Sequence, residues 1–121
     1  MKIKTADLIG PALDWAVAVV EGLREENSWT AIEIFKAARA GGLYRYSTDW
    51  SQGGPRIASG KINIKSNLAR MPEHPEYDWL SDCPEKGLCV SFNGPTPLIA
   101  AMRCYVASRL GDEVDIPEEL L

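Results

Sequence analysis

The chain holds a single histidine and three cysteines in 121 residues, and no apolar run approaches the roughly 20 residues that a membrane-crossing helix needs. Each scarcity narrows the reading. An odd number of cysteines behind a start, Met1 to Asp7, that lacks the pattern of an export signal predicts reduced thiols rather than a disulfide framework. The gaps separating His74, Cys83, Cys89 and Cys104 fit none of the close-paired zinc patterns, so no metal and no other cofactor is expected. Neither a P-loop Gly-Lys-Ser/Thr nor a dinucleotide glycine fingerprint is present, and no nucleic-acid fold signature appears. Repeats, low-complexity tracts and linkers are also missing, and one domain over residues 1–121 is the expectation, with no membrane partner.

What is present is an uneven distribution of charge. Between Lys36 and Arg70 seven basic residues (Lys36, Arg39, Arg45, Arg56, Lys61, Lys65, Arg70) face one acid, Asp49, although the whole chain carries −4. The flanking thirds are acidic. Tyr44, Tyr46 and Trp50 lie inside the basic third with Gly53-Gly54-Pro55, a composition suited to an anionic or flat-ringed partner. The alternative is a solvated face neutralised within the molecule by the ten acids that follow Arg70.

Periodicity predicts an α+β fold, a small and mostly antiparallel sheet packed by two apolar helices. The first helix begins at Gly10-Pro11 and runs to about Glu21, with Leu13, Ala16, Val17 and Val20 on one face and Asp14, Ala18 and Glu21 as a narrow wet edge. The second opens with Thr96 as cap and Pro97 at its first position and stops at Gly111, with Arg103, Ser108 and Arg109 as its exposed residues. A third helix near residues 29–40 competes with a strand reading, with Ser28 as the candidate cap. Short strands are expected at Ile3, at Leu43 to Tyr46, at Lys61 to Lys65 and around Leu88, Val90 and Phe92. Thr5 is placed as a turn cap. Ser47 to Pro55 and Met71 to Lys86 read as loops, and Val114 to Pro117 as an extended tail.

Three blocks carry a family resemblance: Ala12-Leu13-Asp14-Trp15-Ala16-Val17-Ala18, then Tyr46 through Pro55, and Gly94-Pro95-Thr96-Pro97 through Ser108, continuing to Val114. In these the chain resembles the NinX-like family of small phage and prophage proteins, a family of unknown function. The resemblance implies a single NinX-like domain, an accessory gene product and a host bacterial cytoplasm. It supplies no catalytic residues.

The candidate ligand-binding residues are Tyr46, Asp49, Trp50, Gly53, Gly54, Arg56 and Thr96. In Thr48 to Arg56 a glycine pair admits close backbone approach, Trp50 offers a stacking plane, and Arg56 offers a planar fork for phosphate or carboxylate. The competing reading is a structural turn with Trp50 buried. Thr96, at a helix start, adds an anion-favouring end, against ordinary capping. Asp14, Asp49 and His74 are the acid–base candidates, each with a bland alternative, so no catalytic residue is assigned. The leading function is a non-catalytic module binding a host or phage protein or a small anionic ligand. Nucleic-acid binding is the alternative, and an enzyme acting on a nucleotide-like substrate ranks below it.

Overall fold

The computed structural model describes residues 1–67, 72–84 and 88–121, without the side chains of residues 88–90. Among the described residues there are four helices, α1 (Gly10–Val20), α2 (Ala31–Ala40), α3 (Trp50–Gly60) and α4 (Pro97–Leu110), and five strands, the first three helices following one another between the first strand and the second. Of the strands, β2 (Asn63–Ser66), β3 (Trp79–Cys83) and β4 (Leu88–Gly94) form an antiparallel sheet in that order. A separate antiparallel pair joins β1 (Lys2–Lys4) to β5 (Glu113–Asp115), so Val114 and Asp115 of the expected extended tail lie in a strand. The class is α+β.

The centre of the molecule is α4. Thr96 accepts the Ile99 amide at 3.1 Å and Pro97 fills the first helical position, as the sequence pattern predicts. Every residue from Leu98 to Ala107 is buried, which requires cover on all sides. The three-stranded sheet supplies one side, and α1 and α3 supply others. Arg103, expected at the surface, is only 8% exposed. Its guanidinium donates through Nε to the Leu8 carbonyl at 2.8 Å and through Nη1 to the Asn93 carbonyl at 2.7 Å, joining the entry of α1 to β4.

Several local expectations give way to tertiary packing. Leu43 to Tyr46 forms no strand, because Tyr44 sits at a φ of +55° that breaks extended pairing and turns the chain. Ser47 to Pro55 is not a loop throughout, since α3 starts at Trp50 and carries Pro55 within it. The segment expected as a loop from Met71 to Lys86 contains β3, which aligns Trp79 with Ser66 and Gly94. Residues 71 and 85–86 of that segment, and Arg70 before it, lie outside the described residues. The cap of α2 is Thr30 rather than Ser28, its oxygen accepting the Glu33 amide. Thr5 caps no turn, because its hydroxyl donates to the Gly111 carbonyl at 2.6 Å and ties the β1 end to the β5 end.

Glycine and proline cost a helix interior about 1 and about 3 kcal/mol per residue, so α3 needs compensation from outside itself. Asp49 caps it, accepting the Ser51 amide at 2.9 Å, and Gly53 lets it approach α4. A Cβ on Gly53 would stand 2.3 Å from the Tyr46 carbonyl oxygen and 2.6 Å from Leu98 Cδ1, whereas one on Gly54 would meet nothing within 4 Å. Gly94 does the same for β4, where a Cβ would come within 2.6 Å of the Ala100 nitrogen.

This contrast yields a paired prediction. Gly53→Ala should destabilise the fold by about 2 kcal/mol or more, because a backbone oxygen cannot move aside as a side chain can. Gly54→Ala should stabilise by about 0.5–1 kcal/mol through the unfolded chain and helix propensity. Urea denaturation of the two variants beside the parent measures both, and equal effects would show that the approach of α3 to α4 does not depend on Gly53.

Candidate functional site

The region around Tyr46 is built from a turn braced by its own polar groups. Gln52, on the first turn of α3, donates to the Gly42 carbonyl and to Asp49 at 2.8 and 2.9 Å and accepts the Arg45 amide at 2.9 Å. Arg45 in turn donates to the Arg39 carbonyl at 2.9 Å. These bonds fix residues 42–49 between α2 and α3. Beneath them runs a row of rings: Trp15 meets Phe35 edge-on at 5.3 Å, Phe35 stacks on Tyr44 at 5.6 Å, and Tyr44 meets Tyr46 at 6.3 Å. Guanidinium groups lie over two of the rings, Arg39 over Phe35 at 5.9 Å and Arg56 over Tyr46, the last of the row, at 5.4 Å.

The anchor of this region is Asp14. Expected on the wet edge of α1, it is fully buried. Its Oδ2 takes the Arg39 guanidinium and its Oδ1 accepts the Ser47 amide at 2.8 Å. Arg39 also donates to the Tyr44 carbonyl at 2.8 Å, so one arginine holds both the carboxylate and the turn. The other end is closed by Arg56, paired with Glu21 at the close of α1.

Tyr44, Tyr46 and Arg56 form a wall shared by two cavities. One, of about 510 Å³, also takes in Glu21, Arg24 and Glu26, and the other, of about 260 Å³, takes in Leu43, Ser51 and Gln52. Burial raises the Tyr46 phenol above its ordinary pKa, and neighbouring Tyr44 adds to the rise, so this ring faces the cavities as a neutral hydrogen-bonding group.

The seven residues singled out in the sequence are therefore distributed as follows. Tyr46 and Arg56 meet at the cavity wall. Asp49 is committed to its cap, accepting from the Ser51 hydroxyl at 2.7 Å as well as from the amide. Trp50 is 54% exposed, so it is not a core residue. Gly53 is packed against Leu98 on the first turn of α4, and the direct contact fills the space between the two helix starts. Gly54 has open space beside it, and Thr96 caps α4. Neither cavity on the Tyr46 wall takes in Trp50, Gly53, Gly54 or Thr96.

The carboxylates of Asp14 and Asp49 and the ring of His74 have no hydrogen-bonding partner in common. His74 is exposed and pairs with Glu76 at 3.1 Å. Cys83 and Cys104 are buried, and burial pushes the Cys104 thiol up to about 12, far from a thiolate at neutral pH. Among the described residues no group of three or more His, Cys, Asp or Glu side chains is placed to hold a metal ion. Among them too, no helix is long and apolar enough to cross a membrane.

Sequence reasoning missed Asp14, Arg39, Gln52 and Glu21 as determinants of this region. A signal was available: an acid in the middle of an almost wholly apolar helix, in a chain whose central third has basic residues and almost no acids. Among the described residues, three of the basic residues pair with acids remote in sequence: Arg39 with Asp14 and Arg56 with Glu21, both before the block, and Lys36 with Glu119 near the C-terminus.

Two predictions follow from this geometry. Removing one partner of a buried pair strands the other charge, so Asp14→Ala should cost about 3–5 kcal/mol, readable by denaturant unfolding, and Arg39→Ala should approach it. A loss below about 1 kcal/mol would remove Asp14 as the anchor. At the surface, hydrogen bonds from Ser51 and then Gln52 hold the Asp49 carboxyl below its ordinary pKa. Its contribution is therefore present above the ordinary carboxylate range and fades as pH falls through the lowered value. Asp49→Asn should flatten the stability profile in that acid window alone, and an unchanged profile would rule the linkage out.

No curated protein matches the sequence. The family model described as Bacteriophage P22, NinX matches residues 4–109, from the last residue of β1 to the last residue but one of α4. The chain belongs to the NinX family of phage proteins.

Proposed function

We propose that this phage protein is a non-catalytic binding module, acting in the cytoplasm of the host bacterium, that receives a partner protein on the surface from Leu43 to Arg56. The observation that carries the reading is Trp50. It is 54% exposed on the first turn of a helix whose start is pinned by Asp49 and Gln52, so a large aromatic surface is presented on a rigid support. Leu43, 58% exposed, adds apolar area beside the smaller cavity, where a partner's side chain finds Tyr44, Tyr46 and Gln52.

The same geometry supports a protein over a free anion. Arg56 is already paired with Glu21, and Asp49 supplies the negative group at the start of α3, so an incoming anion would have to displace an internal one. It also weakens the nucleic-acid reading. Of the basic block, Lys36, Arg39 and Arg56 are in ion pairs and Arg45 is bonded to the Arg39 carbonyl, so among the described residues Lys61 and Lys65, both exposed and outside the Leu43 to Arg56 surface, are what the stripe offers a phosphate backbone.

Affinity capture with the full chain from phage-infected cells tests this. A specific protein should be recovered with the parent and with Ile9→Ala, an exposed apolar control, and be depleted about thirtyfold with Trp50→Ala, the size of a hot-spot tryptophan. Thermal unfolding should show Trp50→Ala folded. Equal recovery with Trp50→Ala overturns the reading, and recovery abolished by nuclease treatment and steeply by salt transfers it to nucleic acid.

A further inference from the structure

Away from the Tyr46 wall lies a further cavity, with the largely buried Arg103 of α4 in its lining. It measures about 430 Å³ and is lined by Asp7, Glu76, Tyr77, Ser91 and Asn93 together with Arg103. Arg103 is 92% buried by its 8% exposure, yet no carboxylate stands within ion-pair distance of it among the described residues. Its two hydrogen bonds run to main-chain carbonyls through Nε and Nη1. Nη2 has no acceptor among the described residues, so part of the guanidinium fork is unengaged.

Two main-chain carbonyls satisfy Nε and Nη1 but bring no full negative charge to a residue that is largely buried. Burial indeed pulls the Arg103 pKa below its ordinary value, with Asp7 acting in the opposite direction from a distance. An anion that reached Nη2 would supply the counter-charge that the two carbonyls do not. A simple anion is a poor answer, because Asp7 and Glu76, both exposed, line the same cavity and would repel it. A molecule carrying both signs satisfies both ends.

We propose that this cavity binds a small zwitterion of the free amino-acid class, its carboxylate on the unengaged part of Arg103 and its ammonium toward Asp7 and Glu76. Asn93 and Ser91 add polar side chains on β4, and the 40%-exposed ring of Tyr77 offers a flat edge to the ligand's side chain. The carboxylate supplies the ion pair that Arg103 lacks, as a charge-assisted hydrogen bond to Nη2. This site is separate from the Trp50 surface and stands or falls without the partner-protein reading.

The test titrates the full chain with free amino acids covering each side-chain class, up to about 10 mM so that affinities near millimolar register. Acetate and inorganic phosphate serve as anion-only probes. Calorimetry gives affinity, and amide NMR shifts give location. At least one amino acid should saturate and move the Asp7, Ser91 and Asn93 amides, with acetate and phosphate at least about tenfold weaker. Asp7→Asn, a surface change, should weaken that binding about tenfold with thermal stability near the parent's, and Arg103→Lys should weaken it by at least as much. Lack of saturation by any amino acid, equal binding of acetate, shifts mapping elsewhere, or an Asp7→Asn variant that binds as the parent does would each overturn the proposal.

Discussion

The carboxylate of Asp14 is the constraint on which the packing of α1, α2 and the turn before α3 depends. A buried charge must be met by charge and by hydrogen bonds, and here both come from segments remote in sequence, the Arg39 guanidinium and the Ser47 amide. Satisfying one carboxylate therefore brings α2, the turn after it and the approach to α3 onto α1. Arg39 extends the same constraint by holding the Tyr44 carbonyl, and with it the aromatic row that ends at Tyr46 and Arg56. A purely apolar contact could have buried the same surface but would not have fixed which backbone groups face inward.

A second constraint is steric. A helix buried all round needs neighbours that come close, and α4 gets them where glycine removes the side chain in the way, at Gly53 on α3 and at Gly94 on β4. The composition that makes α3 unfavourable as an isolated helix is thus what lets it pack. The glycine pair that resembles a ligand cradle divides in two, with Gly53 spent on α4 and Gly54 facing open space.

Much of the fold was legible in local pattern. The Gly10-Pro11 start, the Thr96-Pro97 start and Gly111 stop, and the strands at Ile3, Ile64 and Phe92 follow from capping chemistry and alternation, which act within a few residues. Misread elements share a cause. The helix at Trp50–Gly60 runs against its own propensities and is held by Asp49, Gln52 and α4, and β3 lies in an acidic stretch whose place in the sheet comes from pairing with β2 and β4. Asp14 and Arg103 were assigned to water by residue type, because nothing local shows that a carboxylate will meet an arginine 25 residues away or that a guanidinium will find two carbonyls.

By itself the sequence determined the α+β class, the two apolar helices and their ends, and the family, because these are written in side-chain periodicity, caps and contiguous residue blocks. It also marked the basic third as unusual. Only the tertiary structure decided what that charge is for. Asp14, Glu21 and Glu119 lie outside the block in sequence but beside Arg39, Arg56 and Lys36 in space, and Coulomb attraction acts on spatial distance, which no residue order records.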